Sequence, residues 1–137
     1  MLKSRNQIYS KAVYDSIKAM LEHATDSKLD SKYKGLCKRA GSLLRTSGLM
    51  QMVAFMEARG HREEMYWLLL RHLQVELIKL HILQGNANKE FWLAEHLRNL
   101  ELPAYMALTR KVLLLLNWHK RLAETMIQKD AEDENND

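Results

Sequence analysis

Apolar side chains recur at three- and four-residue intervals along most of the chain, which is the period of an amphipathic α-helix. In residues 2–24 the charged side chains fall on the opposite face, at i,i+4 spacings that suit a solvated surface. This pattern predicts a first helix over residues 2–24. Its apolar face carries Tyr9, Val13, Ile17, Met20, Leu21 and Ala24, and its polar face carries Lys11, Asp15, Lys18 and Glu22.

Interruptions of the pattern predict five further helices. Asp30 and Ser31 are residue types that favour a helix N-cap, and Gly48 and Gly60 suit the left-handed conformation in which helices end. The only proline, Pro103, falls in the first turn of the last helix, where its fixed φ is tolerated. The predicted ranges are 31–46, 49–59, 62–83, 88–97 with Asn88 as its N-cap, and 101–128. The last of these is apolar around most of its circumference and is expected in the middle of the bundle.

Composition also favours an all-α fold. The chain of 137 residues holds only 5 Gly and 1 Pro, too few for a turn-rich β architecture. Leu occurs 24 times against 4 Val and 5 Ile, and unbranched side chains lose less rotamer freedom in a helix. The sequence therefore predicts a single compact bundle of about six helices in residues 1–128, followed by an unfolded acidic tail in residues 129–137.

The net charge of +4 conceals two opposite segments. Residues 129–137 hold one Lys and five acids, so the remaining 128 residues carry a net charge of +8. A basic body of this kind suits a polyanionic partner such as nucleic acid. With one cysteine, no signal peptide and no apolar run near the length of a membrane span, the chain is expected in the cytoplasm and away from membranes.

Catalytic and metal-binding patterns are poor. No two of the six histidines stand three or four residues apart, as a helical metal site would need, and each is interpreted as a surface or boundary residue. Cys37 lies among apolar positions and is interpreted as a buried structural thiol. No glycine-rich phosphate loop occurs. We therefore expect no enzyme activity, no cofactor and no metal.

Basic side chains, in contrast, fall into stripes on two predicted helices. On the second helix Lys34, Lys38 and Arg45 lie within about 40° of one another, with Gly41 on the same side. On the last helix Arg110 and Arg121 align in the same way, together with Asn117, and Glu124 and Gln128 continue this stripe. Lys111 and Lys120 flank it. These seven cations are the candidate RNA-binding residues: Lys34, Lys38, Arg45, Arg110, Lys111, Lys120 and Arg121.

Both stripes also admit a simpler interpretation. The first could be an ordinary solvated helix face, and in the second Arg121 could form an i,i+3 pair with Glu124. Aromatic residues do not decide between these interpretations. Trp92, Tyr105 and Trp118 share faces with leucines, so they are expected in the core rather than as platforms for stacked bases.

Two segments resemble a known family. Residues 43–60 contain Ser47-Gly48-Leu49 and the Ala54-Phe55 pair, and residues 105–124 contain Tyr105, Leu108-Thr109-Arg110, Asn117-Trp118 and Lys120-Arg121. These segments resemble the signature segments of the small α-helical subunit of the Cmr complex, the type III-B CRISPR–Cas effector that targets RNA. The sequence departs from the family pattern at Gly41, Ser47 and His119. The candidate residues of the second helix are therefore assigned by helical geometry and charge.

The resemblance implies a non-catalytic subunit of an antiviral effector complex. Such subunits stack in several copies beside backbone subunits that hold the guide RNA and cleave the target, line the channel in which target RNA pairs, and contact a large Cas10-like subunit. It implies as partners the other Cmr subunits, further copies of the chain, and guide and target RNA.

Two other functions remain open at this stage. One is a structural adaptor that binds only proteins, for which the 8 methionines would provide adaptable contacts. The other is a helix-turn-helix DNA binder built on the link at Gly48, although the helix after it offers only Gln51 near its start for reading base edges.

Overall fold

Six α-helices form the fold in the computed structural model, which describes residues 2–23, 26–86 and 88–128. No β-strand occurs within these residues, so the predicted all-α bundle is confirmed. The predicted acidic tail, residues 129–137, lies outside the described residues. The helices are α1 (Arg5–His23), α2 (Ser27–Ser47), α3 (Leu49–Gly60), α4 (Glu64–Lys79), α5 (Leu93–Arg98) and α6 (Leu102–Met126).

Helix α2 begins one turn earlier than the sequence predicts. Its N-cap is Asp26, whose carboxylate accepts a hydrogen bond of 2.9 Å from the backbone N–H of Lys28. The prediction of a cap at Asp30 or Ser31 is therefore wrong. Ser31 is fully buried inside the helix, and its hydroxyl donates back to the carbonyl of Lys28.

The two glycines predicted to end helices act differently. Gly48 has a φ of 83° between α2 and α3, and its N–H donates to the carbonyl of Leu44, so this prediction is confirmed. Gly60, the last residue of α3, does not have a positive φ. A Cβ at Gly60 would lie 3.2 Å from the Cα of Trp67, so the glycine permits close packing of α3 on α4.

Hydrogen bonds outside the regular helical pattern set the end of α4 and the start of α5. Helix α4 ends at Lys79 rather than at residue 83, because the N–H groups of Ile82 and Leu83 both turn back to the carbonyl of Leu77. Helix α5 begins at Leu93, where the side chain of Gln74 from α4 accepts from the N–H groups of Trp92 and Leu93. The prediction that Asn88 caps this helix is wrong.

The helices pack around a core rich in leucine. Helix α6 packs against both α1 and α2, and α4 contacts α1, α2 and α3. One face of α6 stays exposed, so its predicted position in the middle of the bundle is wrong. Trp92 is buried, and Tyr105 and Trp118 pack partly buried against the core, as predicted.

A polar network crosses the core and joins four helices. His119 of α6 and Glu76 of α4 are both fully buried, with the ring Nε2 2.8 and 2.9 Å from the two carboxylate oxygens. Ser16 of α1 donates to the same carboxylate at 2.7 Å. The hydroxyl of Tyr33 on α2 lies between the Nδ1 atoms of His119, at 3.0 Å, and His72, at 2.7 Å. The interpretation of every histidine as a surface or boundary residue is therefore wrong for His119.

Burial controls the ionisation of this region. It raises the pKa of the Tyr33 phenol and of the neighbouring Cys37 thiol, so both groups stay protonated and Cys37 is the buried thiol that the sequence predicts. Burial, followed by the electrostatic influence of His119 and Arg71, lowers the pKa of His72 to about 3. A neutral His72 can donate to Tyr33 or accept from it, depending on the tautomer, so the network can be satisfied.

Candidate nucleic-acid interface

Helices α2 and α6 lie side by side and run in opposite directions. At one end the ammonium of Lys34 donates to the carbonyl of Ile127 at 3.0 Å. At the other end the hydroxyl of Tyr105 accepts from the N–H of Met50, just beyond α2, at 2.9 Å. These contacts fix which residues of the two helices stand at the same height.

The helices meet at Gly41, midway between those contacts. A Cβ added at Gly41 would lie 3.7 Å from Oδ1 of Asn117 and 3.9 Å from Cδ1 of Leu113. Gly41 and Asn117 were each predicted at the centre of a basic stripe on its own helix. The structure brings the two stripes together on one surface.

Four exposed cations surround this meeting point. Lys38 and Arg45 lie about one turn before and after Gly41 on α2, and Arg121 lies one turn after Asn117 on α6. Arg110 lies two turns before Asn117. The guanidinium of Arg45 reaches back over the centre, with Nη1 3.6 Å from the position of a Gly41 Cβ. We call the surface formed by Lys38, Arg45, Arg110 and Arg121 around Gly41 and Asn117 the basic groove.

The structure bears on both simpler interpretations of the stripes. No salt bridge joins Arg121 to Glu124 within the part of the chain that the structure describes, which is against the intra-helix pair. An ordinary solvated face would need no second helix beside it. Here the packing at Gly41 brings the basic stripes of α2 and α6 next to each other.

Lys34 departs from the prediction. Its side chain is buried, with 7% exposed, and its ammonium holds the end of α6. The prediction of an exposed stripe that includes Lys34 is therefore wrong, since a helical wheel shows the direction of a side chain but not the neighbour that covers it. Lys34 instead ties the first half of α2 to the end of α6.

Two flanking cations of α6 point to opposite sides of it. Lys120 is exposed, whereas Lys111 is partly buried and borders a separate open pocket on the α1 side. Arg110 and Arg5 border the same pocket. Arg5 could not be predicted at this pocket from the sequence, because no pattern within α1 relates it to residues a hundred positions further along the chain.

The charges of the groove suit it to hold anions. Its cations can neutralise phosphates, and Asn117 adds a side-chain amide that could hydrogen-bond to RNA. No group of three or more His, Cys, Asp or Glu side chains that could hold a metal ion occurs among the described residues. None of the described helices is long and apolar enough to cross a membrane.

Comparison with known proteins gives a consistent result. Residues 5–126 match the family model described as "CRISPR-associated protein (Cas_Cmr5)". The chain is similar to the CRISPR system Cmr subunit Cmr5 of Thermus thermophilus, with 28% identity over 128 residues, covering 93% of this chain and 100% of that protein. It is also similar to the crystal structure of a CRISPR-associated Cmr5 family protein from Thermus thermophilus. That match has a TM-score of 0.73 and 27% identity, and it covers 93% of this chain and all of the other.

Proposed function

The chain belongs to the Cas_Cmr5 family of CRISPR-associated proteins, and we propose that it is a non-catalytic Cmr subunit that holds RNA by its phosphates in the basic groove. The observation that carries this proposal is the meeting of the two basic stripes at Gly41 and Asn117. Two helices that are distant in sequence place four exposed cations around one groove.

The size of the groove suits a nucleic-acid backbone. Lys38 and Arg45 are seven residues apart, about 10 Å along α2, and Arg110 and Arg121 are about 16 Å apart along α6. These lengths are on the order of a few phosphate spacings. Charge and shape are enough for this task, because base pairing with a guide RNA supplies the sequence recognition in RNA-guided complexes.

Within the complex, the proposed partners are guide and target RNA, the backbone subunits, the large Cas10-like subunit and further copies of this chain. Stacked copies would join their grooves into a longer track, and Lys111 and Lys120 would extend each groove to its sides. The proposed setting is the cytoplasm, where guide and target RNA are available to the complex.

The salt dependence of RNA binding tests the groove. In the test variant Lys38, Arg45, Arg110 and Arg121 are all replaced by Gln, and a 20-nucleotide single-stranded RNA is titrated between 50 and 200 mM salt. Each lost phosphate contact should reduce the slope of log K against log salt by about 0.7, so four should reduce it by about 2.8. At 100 mM salt the affinity should fall on the order of 10²- to 10³-fold.

The control variant, Lys18→Gln with Lys79→Gln, removes two exposed charges outside the groove and should keep nearly the whole slope. If the groove variant loses no more of the slope, charge for charge, than this control, the proposal is wrong. Circular dichroism at 222 nm would establish that both variants keep their helices.

A second candidate function is a structural adaptor with no RNA contact. Its support is the exposure of two apolar side chains near the start of α6, Leu102 at 67% and Met106 at 50%. Photocrosslinking of the assembled complex to RNA that carries 4-thiouridine separates the two functions. Adducts on α2 or α6 support RNA binding, and RNA adducts on the other subunits alone support the adaptor.

A further inference from the structure

A second basic feature lies on the other side of α6, where α1 begins. An open pocket of about 500 Å³ is bordered by Arg5 of α1 and by Arg110 and Lys111 of α6. Apolar side chains complete its lining. They are Ala107, Leu113 and Leu114.

The direction of α1 brings Arg5 to this position. Ser16 of α1 and His119 of α6 both bind the carboxylate of Glu76, so these two residues stand at about the same height. Arg5 and Arg110 border the same pocket nearer the starts of their helices, so α1 and α6 run in the same direction. The pocket is therefore built by the packing of α1 on α6.

We propose that this pocket seats one nucleotide of the bound RNA, with its phosphate among Arg5, Arg110 and Lys111 and its ribose or base against Leu113 and Leu114. This inference rests on the proposed function, because it adds a site to the same RNA surface. A volume of about 500 Å³ lies within the roughly 300–1,000 Å³ that is usual for small-molecule sites.

The lining favours a nucleotide over an acidic peptide. None of the lining residues is acidic, so an anion meets three cations and no opposing charge. A nucleotide combines its phosphate with a broad ring face that can cover leucine side chains, whereas a Glu or Asp side chain presents only a carboxylate on a short stem. No lining residue carries a side-chain amide or hydroxyl, so the pocket should accept every base.

The pocket is also continuous with the basic groove. Arg110 borders both, and Leu113 lines the pocket while it contacts α2 at Gly41. A strand that follows the groove along α6 therefore reaches the pocket at Arg110.

Replacement of Arg5 by Gln tests the pocket without touching the groove. Arg5 is exposed in the first turn of α1, so the variant should fold normally. The matched control is Lys18→Gln, which removes one exposed charge from the same helix about 20 Å away. With a 15-nucleotide oligouridylate at 100 mM salt, Arg5→Gln should lower affinity about five-fold and the salt slope by about 0.7, because one phosphate contact is lost.

Methyl NMR spectra of protein labelled at leucine test whether the ribose or base contacts the pocket, which purely electrostatic binding would not require. Oligouridylate should shift the methyl signals of Leu113 and Leu114 in the wild type, and the shifts should shrink in Arg5→Gln. Inorganic polyphosphate of equal charge should leave these signals in place, since it carries no ring to cover them.

Three results would overturn the proposal of a nucleotide in the pocket. They are equal affinity of Arg5→Gln and Lys18→Gln for oligouridylate, leucine methyl signals that oligouridylate does not shift, or the same shifts with a poly-glutamate peptide. Each leaves the groove proposal standing, provided that the Gln variant of the groove still loses its affinity for RNA. If the wild-type protein shows no salt-dependent RNA binding, both proposals fail together.

Discussion

Replacement of Glu76 by Gln should destabilise the protein more than any single surface change, although the two side chains have nearly the same shape. The carboxylate of Glu76 is fully buried and accepts from Ser16 and from Nε2 of His119. The amide of Gln presents one oxygen and one NH₂ group, so its oxygen can accept from only one of the two donors. The hydroxyl of Ser16 must then turn to accept from the NH₂ group, and both bonds to a charged carboxylate become bonds to a neutral amide.

The expected cost follows from burial. A hydrogen bond to a charged group contributes about 1.5–3 kcal/mol, so the loss of one such bond in the core should cost about that much. An unfolding entropy of about 2.1 cal/mol/K per residue gives about 0.25 kcal/mol/K for a helical body of roughly 120 residues. The melting temperature should therefore fall by about 6–12 °C.

Thermal and urea unfolding, followed by circular dichroism at 222 nm, measure this cost. The control is Glu22→Gln on α1, where both side chains of the pair with Lys18 are more than half exposed and the expected change is below about 0.5 kcal/mol. A loss of less than about 1 kcal/mol for Glu76→Gln would refute the argument.

Four other predictions concern single positions or segments. His72 has a pKa of about 3 in the folded protein, so it must gain a proton when the chain unfolds in acid. The free energy of unfolding should therefore be full above about pH 6.5 and fall by up to about 1.4 kcal/mol per pH unit below it. His72→Gln should flatten that slope in urea titrations from pH 7 to pH 4, and an unchanged slope would contradict the assignment. Gly41→Ala should raise the free energy of unfolding by about 0.5–1 kcal/mol, because the new Cβ meets only ordinary contacts inside a helix. Gly60→Ala should lower the free energy of unfolding, because its Cβ would press on the backbone of Trp67 at 3.2 Å. If urea unfolding shows that both glycine variants change the free energy of unfolding in the same direction, this packing is contradicted. Residues 129–137 carry a net charge of −4, and their removal should strengthen RNA binding at 50 mM salt and much less at 200 mM. Equal affinity of the full chain and the shortened chain at 50 mM salt would contradict competition between these residues and RNA.

Local signals in the sequence were sufficient for several helix bounds. Gly48 separates α2 from α3 because its positive φ is a property of the residue itself. Pro103 stands in the first turn of α6 for a similar reason. The start of α5 could not be predicted in this way, because it depends on the side chain of Gln74 on another helix.

The same distinction applies to the candidate interface. Helical periodicity placed Lys38 and Arg45 on one exposed face and Arg110 and Arg121 on another, since periodicity depends only on spacing within a helix. Periodicity could not show that the two faces meet, that Lys34 is covered by the end of α6, or that Arg5 borders a pocket with Arg110. Each of these facts depends on which helix packs against which.

The buried network and the basic groove occupy opposite faces of α6 at the same height, and this relation connects stability with the proposed function. At 100° per residue, His119 points about 180° away from the middle of the stripe formed by Asn117 and Arg121. Apolar packing alone would tolerate small rotations of a helix with so many leucines, because leucine side chains can pack in several ways. The pair of His119 with Glu76 has a defined geometry, so it selects one rotation of α6 and thereby aims Arg121 and Asn117 toward α2. The polar residue that departs from the apolar pattern of this helix is thus the one that determines where its cations point.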